Sequence, residues 1–264
     1  MQPRERADHL LAEARRHDPD RYLTALFAPG ERREAVLALI LFHHELARVP
    51  DMVRQPMMGH IRYQWWRDAL AEIVAGERPR AHPVVMGLAE GIGRGWIAPA
   101  PLEAMIEARE QALERVVGDD LAAIEAYAAA TAGRLQTAIL AALGPAGADE
   151  VAAAERLGTA LGLIGVIEAV AVEVARQPPP PERRAELRKL TDALVERAAR
   201  LADEARRLAG RPPRARMAAF LPLPLLRRRL AGLRTAGDPV RTSRRGRAAT
   251  APLDLLWAHL RRRP

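Results

Sequence analysis

The densest group of side chains able to bind a metal is the run His43-His44-Glu45. Imidazole nitrogens and carboxylate oxygens are ordinary ligands of zinc and related ions. Neighbouring residues of a helix point about 100° apart, so the two histidines do not face one ion without help from another element. Neither a cysteine nor a cluster of aspartates completes the group. We therefore predict no metal site here.

Three of the arginines that follow this run have two interpretations. A guanidinium offers paired donors that suit a phosphate, so Arg48 is a candidate phosphate ligand, with Arg62 and Arg67 beside it in a cationic pocket. Equally, Arg48 can form a surface ion pair with Glu45, three residues earlier on the helix. All three arginines can also lie on a solvated helix face, and the sequence leaves both interpretations open.

Two apolar patterns are similarly ambiguous. Trp65 and Trp66 can form the wall of a ligand cavity, although on a mostly apolar helix at least one of them fits an ordinary core position. The segment Phe220 to Arg229 reads FLPLPLLRRR and places leucines beside three arginines. This pattern is typical of a peripheral contact with anionic lipid, and equally of a short core helix with a charged end.

The elements that must position these residues are helices throughout. Apolar residues recur at spacings of three and four, and no sustained two-residue alternation is present. Proline and glycine mark the boundaries, and the prolines 178 to 181 exclude helix. The predicted helices cover about 4–16, 31–48, 57–75, 82–94, 99–117, 119–142, 148–175, 182–209, 215–231 and 249–261.

We predict an all-α, single-domain bundle over residues 1–264, with a flexible arginine-rich loop at 236–248. A chain of 264 residues with 49% hydrophobic residues can bury a sizeable core. It has no cysteine, which excludes disulfides and thiolate metal sites. The apolar stretches 35–42 and 159–172 are shorter than the roughly 20 residues that cross a bilayer, so no membrane-spanning helix is predicted.

The charge of the chain is strongly basic, with a formal net charge of +8. All but one of its 41 basic residues are arginines, the exception being Lys189, and biased composition accounts for this as well as a polyanionic partner does. The run 241–247, RTSRRGR, has no interleaved aromatic residues, so no nucleic-acid partner is predicted. The N-terminus contains acids and no apolar signal region, which indicates a cytoplasmic protein.

Four blocks, in order, resemble the squalene/phytoene synthase family. Asp20 to Asp51 resembles its first conserved block, and Tyr63 to Glu77 (YQWWRDALAEIVAGE) resembles its Trp-Arg-x-x-Leu helix. Tyr127 to Leu135 (YAAATAGRL) is similar to the Tyr-x-x-x-x-Ala-Gly helix that lines the prenyl cavity. Leu157 to Pro181 is similar to the second acidic helix, although its ending is only proline-rich. The resemblance implies an isoprenoid synthase-like bundle around a central cavity.

The acidic motifs of that family are degraded here. The family places aspartates four residues apart on two facing helices, where they bind the Mg²⁺ ions that hold a diphosphate. The first motif falls on Ala47, Arg48 and Asp51, and Pro50 should break the helix before the only remaining carboxylate. The second falls on Ala169 and Glu173. Neighbouring Glu168 points about 100° away from position 169 and does not replace it.

The local sequences His44 to Val49 and Gln64 to Leu70 resemble the branch of the family that contains a mitochondrial respiratory complex I assembly factor. That resemblance implies a non-catalytic protein that works by binding, with respiratory complex I subunits as partners, an isoprenoid or lipid in the cavity, and a peripheral contact at the inner membrane. The ligand-binding residues that it implies are Tyr22, His44, Arg48, Trp66, Arg67, Tyr127 and Gly133.

No cofactor and no catalytic residue are expected on this interpretation. The alternative is an active head-to-head prenyltransferase that uses Mg²⁺ through rearranged ligands, among them Asp51 and Glu173. Only this alternative requires magnesium.

Overall fold

The computed structural model describes residues 2–53, 55–114, 120–235, 251–262 and 264. Within these ranges the chain is helical and contains no strand, as predicted. The helices are α1 (Pro3–His17), α2 (Pro19–Ala25), α3 (Gly30–Ala47), α4 (Val49–Met52), α5 (Pro56–Val74), α6 (Pro83–Gly93), α7 (Pro99–Glu114), α8 (Leu121–Ala128), α9 (Arg134–Leu143), α10 (Ala148–Arg176), α11 (Pro181–Ala209), α12 (Pro222–Thr235) and α13 (Ala251–Arg261).

Local chemistry explains the helix ends that the sequence predicted. Gly144 and Gly210 have positive φ angles of 134° and 56° and end α9 and α11, a conformation that residues with a Cβ rarely adopt. Pro181 is the first residue of α11, where its missing N–H costs no helical hydrogen bond. Residues 178–180 form the expected break between α10 and α11.

The predictions are wrong at α2 and α4, which were not predicted, at Pro181, which begins α11, and at 215–231. Helix α2 was not predicted; it begins after Asp18, whose carboxylate accepts a hydrogen bond from the backbone N–H of Arg21 at 3.0 Å. The predicted helix at 215–231 is two elements, a 3₁₀ segment at Arg214–Ala219 and then α12. Pro222 separates them because it has no N–H to continue the first. The predicted loop at 236–248 lies outside the described residues.

Helix α3 is the central element of the bundle. Residues 35–42 are all buried, because α1, α6, α7 and α9 surround this stretch. A helix that is apolar on every side must be enclosed in this way. One contiguous hydrophobic core runs from Leu10 in α1 to Leu233 in α12.

The other long element is α10, which packs along α11 and against the turn between α8 and α9. This turn, Ala129–Gly133, is a π-helical segment inside an otherwise continuous helix. By length and composition α10 is the one described helix that could cross a membrane. In the fold its apolar residues, such as Leu157, Leu163 and Ile167, are buried in the core.

Candidate functional site

Five helices bring a group of polar side chains together inside the bundle. This inner polar cluster consists of Arg21 (α2), His43 (α3), Tyr63 (α5), Arg109 (α7) and Tyr127 (α8). Arg109 is its centre: Nη1 donates to the Tyr127 hydroxyl at 2.5 Å, and Nη2 donates to His43 Nε2 at 3.1 Å. The guanidinium also lies 5.2 Å from the centroid of the Tyr127 ring.

The helices place these groups through their apolar faces. On α7 the fully buried residues Leu102, Met105 and Ile106 form an inward stripe. Arg109 follows at the next position of that spacing and therefore points inward. His43 directly follows the buried stretch of α3, and Tyr127 stands just before the π segment. Thr131 Oγ1 donates to the Tyr127 carbonyl oxygen at 2.8 Å, which helps to satisfy the backbone at this irregular turn.

His43 is neutral in this arrangement. A guanidinium only donates hydrogen bonds, so His43 Nε2 must accept from Arg109 and carries no proton. Burial lowers the pKa of His43 well below its ordinary value, and the nearby charges of Arg109, Arg21 and His44 lower it further. Burial likewise raises the pKa of Tyr63, whose hydroxyl donates to the Leu46 carbonyl at 3.1 Å.

In the first degraded motif the helix breaks two residues before Pro50, the position at which the sequence predicted a break. Helix α3 ends at Ala47, Arg48 forms the junction, and the short α4 carries Asp51. Asp51 is exposed. Arg48 pairs with Glu45 at 3.3 Å, and its side chain is 41% exposed, so of its two interpretations the structure favours the surface ion pair.

The second motif lies on the outer part of α10. Ala169 and Glu173 are both exposed. Glu168 is partly buried and forms an ion pair with Arg229 of α12, which gives it a structural role different from that of a metal ligand. Among the described residues no group of three or more His, Asp or Glu side chains could hold a metal ion. The residues present therefore do not fit the magnesium cluster that the family resemblance implies.

Most of the predicted ligand-binding residues make contacts within the protein. Trp66 is 5% exposed, and its ring centroid lies 5.2 Å from that of Phe42, edge to face. Arg67 forms an ion pair with Glu110, whose other oxygen lies 2.9 Å from His60 Nδ1. The ring of His44 stacks on that of His17 at 4.2 Å. Its Nε2 atom is buried without a hydrogen-bond partner.

The remaining predicted residues divide between the core and the cluster. Tyr22 is partly buried and packs on the hydrophobic core. Gly133 is buried where the π segment meets α10, and an added Cβ would lie 2.9 Å from Thr159 Oγ1. Of the predicted set, Tyr127 belongs to the inner polar cluster. The ligand-binding roles of all seven residues stay predictions.

The segment Phe220 to Arg229 does not form the lipid contact that was one of its two interpretations. Phe220, Leu221, Leu223 and Leu226 are at most 1% exposed. They fill the core, so they cannot insert into a lipid surface while the protein is folded. The alternative interpretation, a core segment with charged residues at one end, describes this part of the chain.

A separate surface pocket of about 410 Å³ lies between α1 and α6. None of the predicted site residues lines it. Two of its charged residues already have partners, since Arg6 pairs with Glu34 and Arg94 pairs with Glu90. A third arginine, Arg78, also lines the pocket.

Sequence reasoning did not select Arg21 or Tyr63 as site residues, and it missed Arg109, the centre of the cluster. Arg109 lies outside the four family-like blocks, which explains why it was not selected. One signal was available: with Leu102, Met105 and Ile106 at spacings of three and four, Arg109 continues the buried stripe of α7. An arginine on such a stripe needs a partner inside the protein.

Comparison with known proteins shows which family and which solved structures this chain resembles. The sequence model of the squalene/phytoene synthase family matches residues 14–179, more than half of the chain. Two solved structures share the fold. A dehydrosqualene synthase in complex with ligand superimposes with a TM-score of 0.80 and 16% identity, over 98% of this chain and 96% of that one. A squalene synthase from Alicyclobacillus acidocaldarius superimposes with a TM-score of 0.71 and 18% identity, over 89% of this chain and 95% of that one.

Curated proteins with similar sequences are named for complex I assembly and not for squalene synthesis. The chain is 29% identical over 171 residues to the human protein named NADH dehydrogenase (ubiquinone) complex I, assembly factor 6, which covers 64% of this chain and 51% of the human protein. It is 24% identical to the homologue from Drosophila melanogaster, over 66% of this chain and 53% of the homologue. The chain thus spans about half the length of these relatives.

Proposed function

This chain belongs to the squalene/phytoene synthase family, and we propose that it is a non-catalytic member that acts by binding in the assembly of a respiratory NADH dehydrogenase. One observation carries the proposal. At the two motif positions the chain has Ala47, Arg48, Asp51, Ala169 and Glu173, and both acids are exposed. Cleavage of an allylic diphosphate needs metal ions that neutralise the leaving group, and this set of oxygens does not fit them.

The assembly role draws on the relatives named for complex I assembly. Its test is co-purification of the tagged chain from gently solubilised native membranes. We expect subunits of the NADH dehydrogenase to be recovered, and we expect loss of the gene to reduce the amount of assembled enzyme. A preparation that contains only lipid would contradict the assembly role and would instead support a lipid carrier.

The alternative function is head-to-head prenyl transfer with Mg²⁺. Incubation with farnesyl or geranylgeranyl diphosphate and Mg²⁺ separates it from the proposal. We expect no product and no release of diphosphate above a heat-treated control. Turnover that is abolished by Asp51→Ala or Glu173→Ala would overturn the non-catalytic proposal.

We further propose a cytoplasmic protein with a peripheral contact at the inner membrane, located at the start of α5. Met52, Met57, Met58 and Ile61 are 42%, 71%, 49% and 56% exposed. Met57 and Ile61 lie four residues apart and share one helix face. The exposed Arg62 beside them supplies the positive charge that favours an anionic lipid surface.

Flotation with vesicles that contain anionic lipid tests this contact. We expect the parent protein to float at low salt and the double variant Met57→Ser/Ile61→Ser to lose most of its bound fraction. Val74→Ser is the matched control, because Val74 is 58% exposed at the other end of the same helix. Equal flotation of all three proteins, or none by the parent, would remove the proposed surface.

A further inference from the structure

The surface pocket between α1 and α6 is lined by three arginines and one acid. The guanidinium groups come from Arg6 of α1, Arg78 in the connection between α5 and α6, and Arg94 directly after α6. The acid is Glu90. The rest of the lining is small or apolar and consists of Pro79, Met86, Ala89 and Gly93. None of these residues belongs to the inner polar cluster or to the degraded acidic motifs, so the pocket is separate from both.

Arg6 is the buried arginine of this pocket. The residue is 9% exposed, and its Nε donates to Glu34 in an ion pair. Neither of its two terminal amino groups donates a hydrogen bond to any residue that the structure describes. A buried polar group in a folded protein usually has a hydrogen-bond partner. The unused donors of Arg6 are therefore available to a ligand in the pocket that this residue lines.

Arg78 and Arg94 have unused donors as well. Arg94 donates to Glu90 through Nε at 2.5 Å, and its guanidinium lies 5.0 Å from the centroid of the Trp96 ring. Its terminal amino groups make no hydrogen bond with the described part of the chain. Arg78 is exposed and makes neither a hydrogen bond nor an ion pair within the described ranges. Three guanidinium groups with unused N–H donors therefore line one pocket.

The charges around the pocket match a ligand with a single negative charge. Glu34 balances Arg6 and Glu90 balances Arg94, whereas Arg78 has no counter-ion among the described residues. A carboxylate carries one charge, and its two oxygens match the fork of a guanidinium. A phosphate monoester would bring nearly two charges next to Glu90. The charge balance therefore favours a carboxylate over a phosphate.

The size and the apolar lining of the pocket limit the rest of the ligand. The volume of about 410 Å³ is near the lower end of the range for small-molecule sites. Met86 is partly exposed, and its unbranched thioether side chain adapts to apolar groups of different shapes. Pro79 and Ala89 add apolar surface to the same lining. A short hydrocarbon chain suits these contacts.

We propose that this pocket binds a small monocarboxylic acid with an apolar chain of about four to eight carbon atoms. The carboxylate accepts hydrogen bonds from the arginines, and the chain lies against Met86. The inference goes beyond the proposed function and does not depend on it, because no residue of the acidic motifs contributes to the pocket.

Titration with hexanoate tests the proposal, with NMR of protein labelled at its methionine methyl groups as the readout. The chain has seven methionines, and Met86 lines the pocket. We expect the Met86 signal, assigned through the Met86→Leu variant, to shift with a Kd of about 1 mM or lower. The signal of Met105, which is fully buried in the core, should not move. A Met86 signal that stays in place at a tenfold higher concentration would overturn the proposal.

Three further probes define the ligand class. Hexanamide has nearly the same shape without the charge and should bind at least tenfold more weakly than hexanoate. Acetate keeps the carboxylate without the longer chain and should bind at least fivefold more weakly. Inorganic phosphate should bind no more tightly than acetate. Equal affinity for hexanoate and either hexanamide or acetate, or tighter binding of phosphate than of hexanoate, would overturn the assigned ligand class.

Variants then locate the site. Arg78→Gln removes the unbalanced charge and should weaken hexanoate binding at least fivefold, and Arg78→Glu should weaken it further. Both variants should fold, because Arg78 is exposed and makes no printed contact that holds the fold together. Arg16→Gln is the matched control, since Arg16 is exposed on α1 away from the pocket lining, and it should change the affinity less than twofold. Unchanged affinity in both Arg78 variants would reject this pocket, while the assembly role could still stand.

Discussion

Arg109 influences the protonation of His43. Arg109 holds His43 in its neutral form by donating to Nε2, and a proton on that nitrogen would both break the hydrogen bond and place two cations together. Burial also lowers the pKa values of His44 and His82. The unfolded chain has no such constraint, so its histidines take up protons near pH 6.5.

This difference predicts how stability depends on pH. A histidine with a lowered pKa in the folded state binds fewer protons than in the unfolded state, so the free energy of unfolding should fall as the pH drops below about 6.5. One such group contributes at most about 1.4 kcal/mol per pH unit. We expect the His43→Gln variant to lose less of its free energy of unfolding between pH 7 and 5 than the parent protein does. The glutamine amide oxygen can still accept a hydrogen bond from Arg109.

Urea unfolding at several pH values measures the effect, with His9→Gln as the control because His9 is exposed on α1. Parallel stability curves for the parent and His43→Gln would contradict the neutral state assigned to His43. The paired carboxylates do not interfere, because hydrogen bonds to arginines lower the pKa values of Glu72, Glu110 and Glu125. Their contribution is lost only in a more acidic range.

At the scale of elements, the contact between α10 and the π segment allows no additional atoms. A Cβ added at Gly158 would overlap the Ala132 carbonyl oxygen and lie 2.7 Å from Gln136 Cβ and 2.8 Å from Gly133 Cα. Two of these three atoms belong to backbone, which cannot rotate away as a side chain can. The π segment therefore depends on small residues in α10.

We expect Gly158→Ala to destabilise the protein by about 1–3 kcal/mol, the usual cost of overpacking a core. Gly165 of the same helix is the matched control, since nothing lies within 4 Å of an added Cβ there. Gly165→Ala should be neutral or stabilising by up to about 1 kcal/mol, from helix propensity alone. Denaturant unfolding measures the stability of both variants. Equal effects would mean that the close approach of α10 to the π segment does not contribute to stability.

The start of α10 is attached to the 3₁₀ segment through Glu150. Its carboxylate accepts from Arg216 at 2.8 Å and from the Gly147 backbone N–H at 3.2 Å. Both side chains of the ion pair are less than 20% exposed. Loss of the carboxylate would leave Arg216 without this partner, away from bulk water.

We expect Glu150→Ala to lower the free energy of unfolding by about 1–3 kcal/mol. Asp149→Ala is the control, because Asp149 occupies the same first turn but is exposed, and its removal should cost about 0.3–1 kcal/mol through the helix dipole alone. Thermal or denaturant unfolding of the two variants measures these losses of stability. If both variants lose the same stability, the ion pair contributes nothing beyond the charge at the helix end.

At the scale of the whole molecule, one hydrophobic core connects the helices from α1 to α12. The central helix α3 contacts elements from both the N-terminal part of the chain and the middle, so no sequence boundary divides the core into independent units. The single domain over residues 1–264 stays a prediction.

Such a core predicts one cooperative unfolding transition. Far-ultraviolet circular dichroism should follow the helices, and fluorescence should follow the packing around the four tryptophans. The two transitions should have the same midpoint. Arg109→Gln should keep a single transition. Two separated transitions in the parent protein would indicate at least two domains.

The sequence alone determined the helical class, most helix boundaries and the break before Asp51. These features depend on local properties: apolar spacing, glycine and proline positions, and the missing N–H of Pro50. It also predicted the deficit of acidic ligands, because the identities of Ala47, Arg48, Ala169 and Glu173 can be read directly.

Only the tertiary structure decided which polar groups meet. Arg109 and His43 are 66 residues apart, and their contact depends on how α7 packs beside α3. The packing of the helices also buried Trp66, Leu223 and Leu226, and it left Met57 and Ile61 exposed. Helical periodicity shows that a face is apolar, but whether protein or solvent covers that face depends on the arrangement of all the helices.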